Sequence, residues 1–149
     1  MTVDPKNPVV QLCAAGMAIE GDAPAARELF ARAWALHQDD YEACIAAHYV
    51  ARHQSPEDTL RWNALAVQHA EAVADDRVNS LLASLYLNLA ESLRVVGNTT
   101  EAAAVAGRAR DTLVRLPAGG YRDFVAGALE RLRTRLSAPE IAERSPNDR

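Results

Sequence analysis

Residues that start helices recur along this chain, whereas signals for β-strands are almost absent. Asn7 precedes Pro8 and Ser55 precedes Pro56, so each pair offers an N-cap side chain and then a proline in the first turn, where the missing N–H costs nothing. Similar starts open three further stretches, at Asp22, Asp39-Asp40 and Thr99-Thr100. No sustained apolar/polar alternation and no Asn-Gly or Asp-Gly hairpin turn occurs. These signals predict an all-α protein.

The composition suits closely packed helices in one domain. Of the 149 residues, 30 are Ala and 49% are hydrophobic, whereas Gly and Pro number only 7 each. Alanine has the highest helix propensity, and its small side chain lets two helix backbones approach closely. The spacing of apolar residues and start signals predicts seven helices, at about 8–20, 24–37, 41–53, 56–73, 77–96, 100–116 and 121–136.

Two stretches of the chain share one pattern, in which a glycine is followed by small or aromatic residues five, nine and twelve positions later. The glycines and their followers are Gly21 with Ala26, Phe30 and Ala33, and Gly97 with Ala102, Ala106 and Ala109. The residues eight, seven and four positions before each glycine also correspond, and they are Cys13, Ala14 and Met17, and Leu89, Ala90 and Leu93. Each stretch is predicted to form a helix, a short turn and a helix, with small residues where the helices touch.

This pattern resembles the tetratricopeptide repeat (TPR) family, whose helix–turn–helix unit has about 34 residues. The resemblance implies antiparallel helix pairs stacked as a short right-handed solenoid of about three repeats, at 7–40, 40–82 and 83–116. A capping helix at 121–136 would follow, between an N-terminal lead at 1–6 and a disordered tail at 137–149.

The second predicted repeat departs from the family pattern. Gln54 replaces the turn glycine, and Asn63 occupies a site that is usually apolar. Ala47 and Thr59 would take its close-contact positions. An excess of about eight to ten residues, around 72–82, lengthens the helices between the second and third repeats.

In TPR domains the first helix of each repeat lines a concave groove, which implies a non-enzymatic module that binds a protein or peptide. By this resemblance, six side chains would face the ligand: Gln11, Tyr41, His48, Arg52, Asn88 and Glu91. Tyr41, His48 and Arg52 also follow one another at spacings of seven and four, which places them on one helical face. An ordinary solvated helix surface is the alternative interpretation.

The family's clamp for terminal carboxylates, built from Lys, Asn and Arg, is not reproduced. The corresponding positions hold no cation, because they are Gln11, Ala15, Ile45, Ser84 and Asn88. Charge-assisted hydrogen bonds make such recognition strong. A co-chaperone that binds the acidic tails of heat-shock chaperones is therefore disfavoured.

A second hypothesis is a helical enzyme or metal-dependent regulator centred on Cys44, His48 and His53, which fall within ten residues. No second Cys/His pair at ligand spacing supports a metal, and no acid lies at helical spacing to orient His48. No Gly-rich phosphate loop is present, so no cofactor is predicted. Cys13 and Cys44 fit buried free thiols in a reducing cytosol.

The charge distribution bears on the partners. Residues 1–107 carry 7 basic and 14 acidic side chains, whereas residues 108–135 carry 7 arginines against 3 acids. The net charge of −4 gives no reason to expect nucleic acid or an anionic membrane as a partner. Attraction between the acidic and basic parts of two copies makes a homo-oligomer a third hypothesis. The 15 arginines to one lysine indicate a GC-rich bacterial genome.

Two features of the sequence predict a cytoplasmic protein. The N-terminus lacks the basic-then-apolar order of a signal peptide, and no apolar run approaches 18 residues.

On the capping helix, an apolar stripe is predicted to dock on the third repeat through Leu129 and Leu132, and the arginines are predicted to keep the helix soluble. The members of the stripe are Phe124, Val125, Ala128, Leu129, Leu132 and Leu136. Trp34 and Trp62 are predicted to pack in the core.

Overall fold

The computed structural model describes residues 3–138, and within this range the chain forms seven α-helices and no strands. The helices are α1 (Pro8–Ala18), α2 (Ala23–Leu36), α3 (Asp40–Val50), α4 (Pro56–Ala72), α5 (Leu82–Val95), α6 (Thr99–Thr112) and α7 (Gly120–Ser137). The all-α prediction is confirmed. The predicted N-terminal lead is described only from Val3, and residues 139–149 of the predicted tail lie outside the described range.

The predicted start signals cap the helices. The Asn7 side chain accepts hydrogen bonds from the backbone N–H groups of Val9 and Val10, at 2.9 and 3.3 Å. The side chains that accept at the other capped starts are Asp22 for α2, Asp39 for α3, Ser55 for α4 and Asn98 for α6. Each satisfies a backbone donor that the helix leaves unpaired. Only the cap of α6 differs from the prediction, because Asn98 caps this helix and lies one residue before the predicted cap, Thr99.

Two predicted helices are shorter than expected because a 3-10 segment takes part of each. The predicted helix 77–96 is divided into a 3-10 segment at Asp76–Ser80, capped by the Asp75 side chain, and α5. The predicted helix 100–116 ends as α6 at Thr112, followed by a 3-10 segment at Leu113–Arg115. Leu116 is extended there, because a residue before proline is disfavoured in the α conformation.

Helices that are neighbours in the sequence pack against one another. The tightest pairs are α1 with α2, α3 with α4, and α5 with α6. The pairs are joined by contacts of α2 with α3 and of α4 with α5, while α7 packs on α5 and α6. One apolar core runs through all seven of these helices. None of the described helices is both long enough and apolar enough to cross a membrane.

The contact between α1 and α2 differs from the predicted one. Phe30 is fully buried, as expected, but Ala14 and Met17 on α1 are exposed. Gly16 takes the contact position instead, because the Phe30 ring lies directly against its Cα. A Cβ at residue 16 would lie 2.8 Å from Phe30 Cδ1 and closer still to Cε1. The offsets from Gly21 therefore predicted the buried residues of α2 and missed the facing residue of α1.

Gly16→Ala is expected to lower the free energy of unfolding by about 1–3 kcal/mol, because a rigid buried ring has no room to move away. Gly107→Ala is the matched control on α6, since no described atom lies within 4 Å of its added Cβ. It should raise the free energy of unfolding by up to about 1 kcal/mol through helix propensity. Urea unfolding of both variants checks the pair. Equal stability of Gly16→Ala and the wild type would show that α1 and α2 are not this close.

The contact between α5 and α6 agrees with the predicted small residues. Ala90 on α5 is fully buried against a buried face of α6, formed by Ala102, Ala106 and Ala109. Gly97 ends α5 with φ of 88°, and the next amide, of Asn98, donates to Leu93 O at 2.9 Å, which is a Schellman end. Gly21 has no positive φ. The two aligned glycines thus make different turns.

The turn between α3 and α4, where Gln54 replaces the expected glycine, contains His53 in the left-handed region with φ of 61°. Ala47 is fully buried, as its predicted close-contact position requires. Thr59 Oγ1 donates to the carbonyl of Ala51 at 3.0 Å and so joins the start of α4 to the end of α3. The tight approach of these two helices is the expected one.

Helix α7 buries the predicted apolar stripe. Val125, Leu129 and Leu132 are at most 2% exposed, and the two leucines belong to the main core. Phe124, which the stripe was expected to include, is 68% exposed. A stripe wider than the contact between helices leaves its outermost member in solvent, and Phe124 occupies that edge.

Candidate functional site

A polar cavity of about 190 Å³ lies where α3, α4 and α5 meet. Its lining consists of His48, Ala51 and Arg52 at the end of α3, Asn63 on α4, and Asn88, Glu91 and Ser92 on α5. Drug-sized ligands occupy pockets of about 300–1,000 Å³. This cavity is therefore the size of a single amino-acid side chain.

Four of the six side chains predicted to face a ligand line this cavity. They are His48, Arg52, Asn88 and Glu91, which lie up to 43 residues apart in the sequence. Gln11 is exposed on α1 and is not part of the lining. His48 lies on α3 and Arg52 two residues after its end, and both line the cavity, in agreement with the helical spacing that predicted a shared face.

Tyr41, which was predicted to face the ligand together with these side chains, lies outside the cavity. Its side chain is buried at the start of α3, with the Arg77 guanidinium 4.5 Å from the ring centre. Two turns of helix separate it from His48, and the 3-10 segment that carries Arg77 covers it. The extra residues between α4 and α5 therefore cover Tyr41 at the start of α3.

The floor of the cavity is a hydrogen-bonded pair of buried polar side chains. Asn63 Nδ2 donates to Ser92 Oγ at 2.8 Å, and Ser92 Oγ donates to the Asn88 carbonyl at 2.9 Å. Asn63 and Ser92 are each only 6% exposed. The pair joins α4 to α5 at a place where an apolar contact would pack at no cost in desolvation.

His48 is fixed in one neutral form. Asn88 Nδ2 lies 3.3 Å from His48 Nδ1, and an amide nitrogen can only donate, so Nδ1 accepts and the ring proton is on Nε2. Burial, assisted by the positive charge of Arg52, lowers the pKa of His48 from 6.5 to about 4. The imidazole is therefore uncharged at neutral pH.

This pKa shift predicts a loss of stability in acid. The unfolded imidazole binds a proton below pH 6.5 and the folded one only below about pH 4, so the His48 contribution is complete above pH 6.5 and is lost as the pH falls toward 4. From about pH 7.5 to about pH 4.5, the loss amounts to about 2–3 kcal/mol. Urea unfolding should show this extra loss in the wild type relative to His48→Gln. Carboxylates titrate in both proteins and cancel in the comparison, so parallel pH profiles would contradict the shift.

One side of the cavity rim carries an ion-paired cation. Arg52 Nε and Nη2 each donate to the Glu20 carboxylate at 2.9 Å, and His53 Nε2 lies 2.6 Å from the same carboxylate. Burial tends to raise the pKa of Glu20, but the hydrogen bonds from Arg52 and His53 outweigh it and lower the pKa overall. Glu20 lies just after α1, so this cluster joins the first helix pair to the turn after α3.

The opposite side of the rim carries an ion-paired anion. Arg94 contacts both oxygens of the Glu91 carboxylate, at 2.7 and 3.0 Å, and Arg135 of α7 approaches it to 3.4 Å. The hydrogen bonds from Arg94 lower the pKa of Glu91, so the carboxylate is ionised. The rim therefore has a positive and a negative side, and each charge already has a partner within the chain.

The second sequence hypothesis required Cys44, His48 and His53 to act together, and their contacts separate them. The Cys44 thiol donates to the Tyr41 carbonyl at 3.1 Å, and burial raises its pKa to about 12. His48 contacts Asn88, and His53 contacts Glu20. Residues 3–138 contain no group of three or more His, Cys, Asp or Glu side chains arranged to bind a metal ion.

The two tryptophans, which were predicted to pack in the core, lie at its edge and pack against each other. Their ring centres are 5.1 Å apart in an edge-to-face arrangement, and both are half-buried against the core. The Trp34 ring also contacts His37 and His69 at 4.3 and 5.8 Å between ring centres. Asp40 Oδ1 accepts from His69 Nδ1 at 2.8 Å, so this cluster ties α2, α3 and α4 together.

Asn63 and Ser92 are the site residues that the groove prediction missed. Asn63 did carry a signal, because a buried position of the repeat pattern that is normally apolar held an amide. Ser92 carried none, since serine on a helix surface is common. A polar residue at a predicted core position is the sequence feature that indicates such a cavity.

The fold and this cavity define an all-helical protein with a polar cavity between three of its helices. No protein-family model, curated protein or solved structure matches the chain. The cavity contains hydrogen-bond donors, acceptors and paired charges.

Proposed function

We propose that this chain is a non-enzymatic module that binds an extended peptide segment of another protein. The helix pairs would stack as a TPR-like right-handed solenoid of three repeats, with α7 as the cap. The peptide would lie along the first helices of the repeats, and the polar cavity between α3, α4 and α5 would take one of its side chains. Cytoplasmic localisation and a bacterial source remain part of this proposal.

The observation that carries this function is the convergence of His48, Arg52, Asn88 and Glu91 on one cavity. They lie on α3, just after it, and on α5, which are the first helices of the second and third proposed repeats. A solvated surface would scatter such residues over separate patches. Instead, they surround one opening in which a side chain can be enclosed by three helices.

The hydrogen bonds in the cavity favour binding over catalysis. Ser92 is its only hydroxyl, and that hydroxyl donates to a main-chain carbonyl and not to a base. His48 already accepts a hydrogen bond at Nδ1, from an amide. An activated nucleophile requires a base within hydrogen-bonding reach, and neither group has this arrangement.

Selection of a displayed library of random linear peptides on the immobilised chain tests this function. The enriched peptides should share a short motif, and calorimetry should give an affinity at least about tenfold weaker for Asn88→Ala and Arg52→Ala, equal to about 1.4 kcal/mol. Arg61→Ala is the control, because the Arg61 side chain is 77% exposed, lies outside the cavity lining and, within the described part of the chain, pairs with Asp58 alone.

Two results would contradict the proposal. A selection that enriches no motif in the full chain would remove peptide binding. Peptides that bind the Asn88→Ala and Arg52→Ala variants as tightly as the wild type, with both variants folded by circular dichroism, would move the binding surface away from this cavity.

A further inference from the structure

The buried Asn63–Ser92 pair costs stability that the fold does not require. Each residue is only 6% exposed, at the contact of α4 with α5, where the neighbouring core positions are Ala, Val and Leu. Burying an amide costs free energy unless its donors and acceptors are satisfied, and an apolar pair of similar size would pack here without that cost. A buried polar pair that lowers stability in an otherwise apolar core is typical of a functional site.

The cavity leaves a defined set of polar atoms without partners in the described chain. Asn63 and Asn88 each donate through Nδ2, and no described side chain or backbone group donates to either Oδ1. His48 uses only Nδ1, which leaves the proton on Nε2. Residues 3–138 contain no buried side-chain nitrogen or oxygen that lacks a partner, so these three atoms are at least partly exposed, and all three of their residues line the cavity.

The free atoms are therefore two acceptors, Asn63 Oδ1 and Asn88 Oδ1, and one donor, His48 Nε2–H. A primary carboxamide is complementary to this set, because its NH₂ group donates twice and its oxygen accepts. We propose that the cavity binds the carboxamide of a glutamine or asparagine side chain in the peptide ligand. This inference rests on the proposed peptide-binding function.

Charged side chains fit the same atoms poorly. A carboxylate would face two amide oxygens, and an ammonium group would face the His48 Nε2–H, so each would meet a group of the same polarity. The charges of the rim do not compensate, because Arg52 is paired with Glu20, and Glu91 with Arg94 and Arg135. An apolar side chain would leave all three atoms without a hydrogen bond, which a buried site penalises.

Titration with capped single residues, followed by NMR of the full chain, tests the inference directly. The probes are the N-acetyl, N-methylamide forms of glutamine, asparagine, glutamate and norleucine, which share the same backbone amides. The glutamine or asparagine probe should shift the side-chain NH₂ signals of Asn63 and Asn88 and the His48 ring signals with saturation. The glutamate and norleucine probes should bind at least about tenfold more weakly.

Equal shifts with the norleucine probe would show that the cavity takes a backbone amide or an apolar chain. Stronger binding of glutamate would show a carboxylate site. No saturable shift with the glutamine or asparagine probe would also reject the inference.

Replacement of the floor tests the same point through the protein. Asn63→Leu removes one acceptor while the Ser92 hydroxyl keeps its bond to the Asn88 carbonyl, so the variant should stay folded and lose the response to the glutamine and asparagine probes. Asn88→Leu is the second variant and removes the other acceptor. Arg61→Gln, on the outer side of α4, should keep the response. An unchanged response in the folded floor variants would place the carboxamide elsewhere.

The peptide selection separates this inference from the function on which it rests. Enriched peptides that depend on Arg52 and Asn88 but share no glutamine or asparagine would leave peptide binding intact and reject the carboxamide pocket. Saturable binding of the capped glutamine, together with a selection that enriches no peptide, would retain the pocket chemistry and reject peptide binding.

Discussion

Phe30→Ala is expected to lower the free energy of unfolding by about 3–5 kcal/mol, the usual cost of removing a buried aromatic ring. The Phe30 side chain is 0% exposed, and it fills the space between Gly16 of α1 and Tyr49 of α3, with 5.5 Å between the Phe30 and Tyr49 ring centres. Gly16 has no side chain that could move into the space left behind. The cavity would therefore remain open.

The chain contains its own control, because Phe124 is its only other phenylalanine. Phe124 is 68% exposed, so Phe124→Ala should change the free energy of unfolding by less than about 0.5 kcal/mol. Urea unfolding followed by circular dichroism gives both values. A cost for Phe30→Ala no greater than that for Phe124→Ala would mean that the ring does not hold the first helix pair together.

Leu132→Ala is expected to lower the free energy of unfolding by about 2–5 kcal/mol. Leu132 is 1% exposed and lies in the main core with residues of α5 and α6, so its loss leaves a void beneath α7. A capping helix protects the apolar edge of the last helix pair from water. Weakening it should therefore destabilise the whole chain, and the unfolding midpoint of circular dichroism and that of tryptophan fluorescence should move together.

Arg133→Ala is the control one residue away on α7. Its guanidinium is exposed and, among residues 3–138, forms an ion pair with Glu130 alone, at 3.4 Å, so the stability should change by less than about 0.5 kcal/mol. Arg135 pairs with Glu91, which further reduces the positive charge that this face offers to a phosphate backbone. Tight RNA binding with a steep salt dependence, lost in a folded Arg131→Ala/Arg135→Ala variant, would instead make the face of α7 a nucleic-acid surface.

Local signals predicted the helices because capping and periodicity act within a few residues. The side chains of Asn7, Asp22, Asp39 and Ser55 accept from the first turn of the helices that they were predicted to start. The ends of α5 and α6 were less predictable. The 3-10 segments next to them depend on a cap at Asp75 and on Pro117. The pattern of apolar residues in the sequence is the same whether or not such segments form, so it does not predict them.

The residues at the contact of two helices were predictable only where both helices follow the spacing of small residues counted from the turn glycine. The offsets from Gly97 gave the buried residues of α5 and α6, since Ala90 and Ala106 are small on both sides. The same offsets from Gly21 failed on α1, where Gly16 replaces Ala14 at the contact. A shift of two residues on a helix rotates the contact by about 200°, and neighbouring small residues give no signal that fixes the rotation.

The sequence by itself determined the all-α class, the capped starts of α1 to α4, the buried stripe of α7 and the shared side of His48 and Arg52. Only the tertiary structure decided that Asn63 and Ser92 meet, that Tyr41 is covered by Arg77, and that Gln11 stays apart from the cavity. Helix formation depends on residues three and four apart, which the sequence displays. The cavity depends on the rotation and height of α4 and α5 relative to α3, which are set by packing between residues up to 44 positions apart.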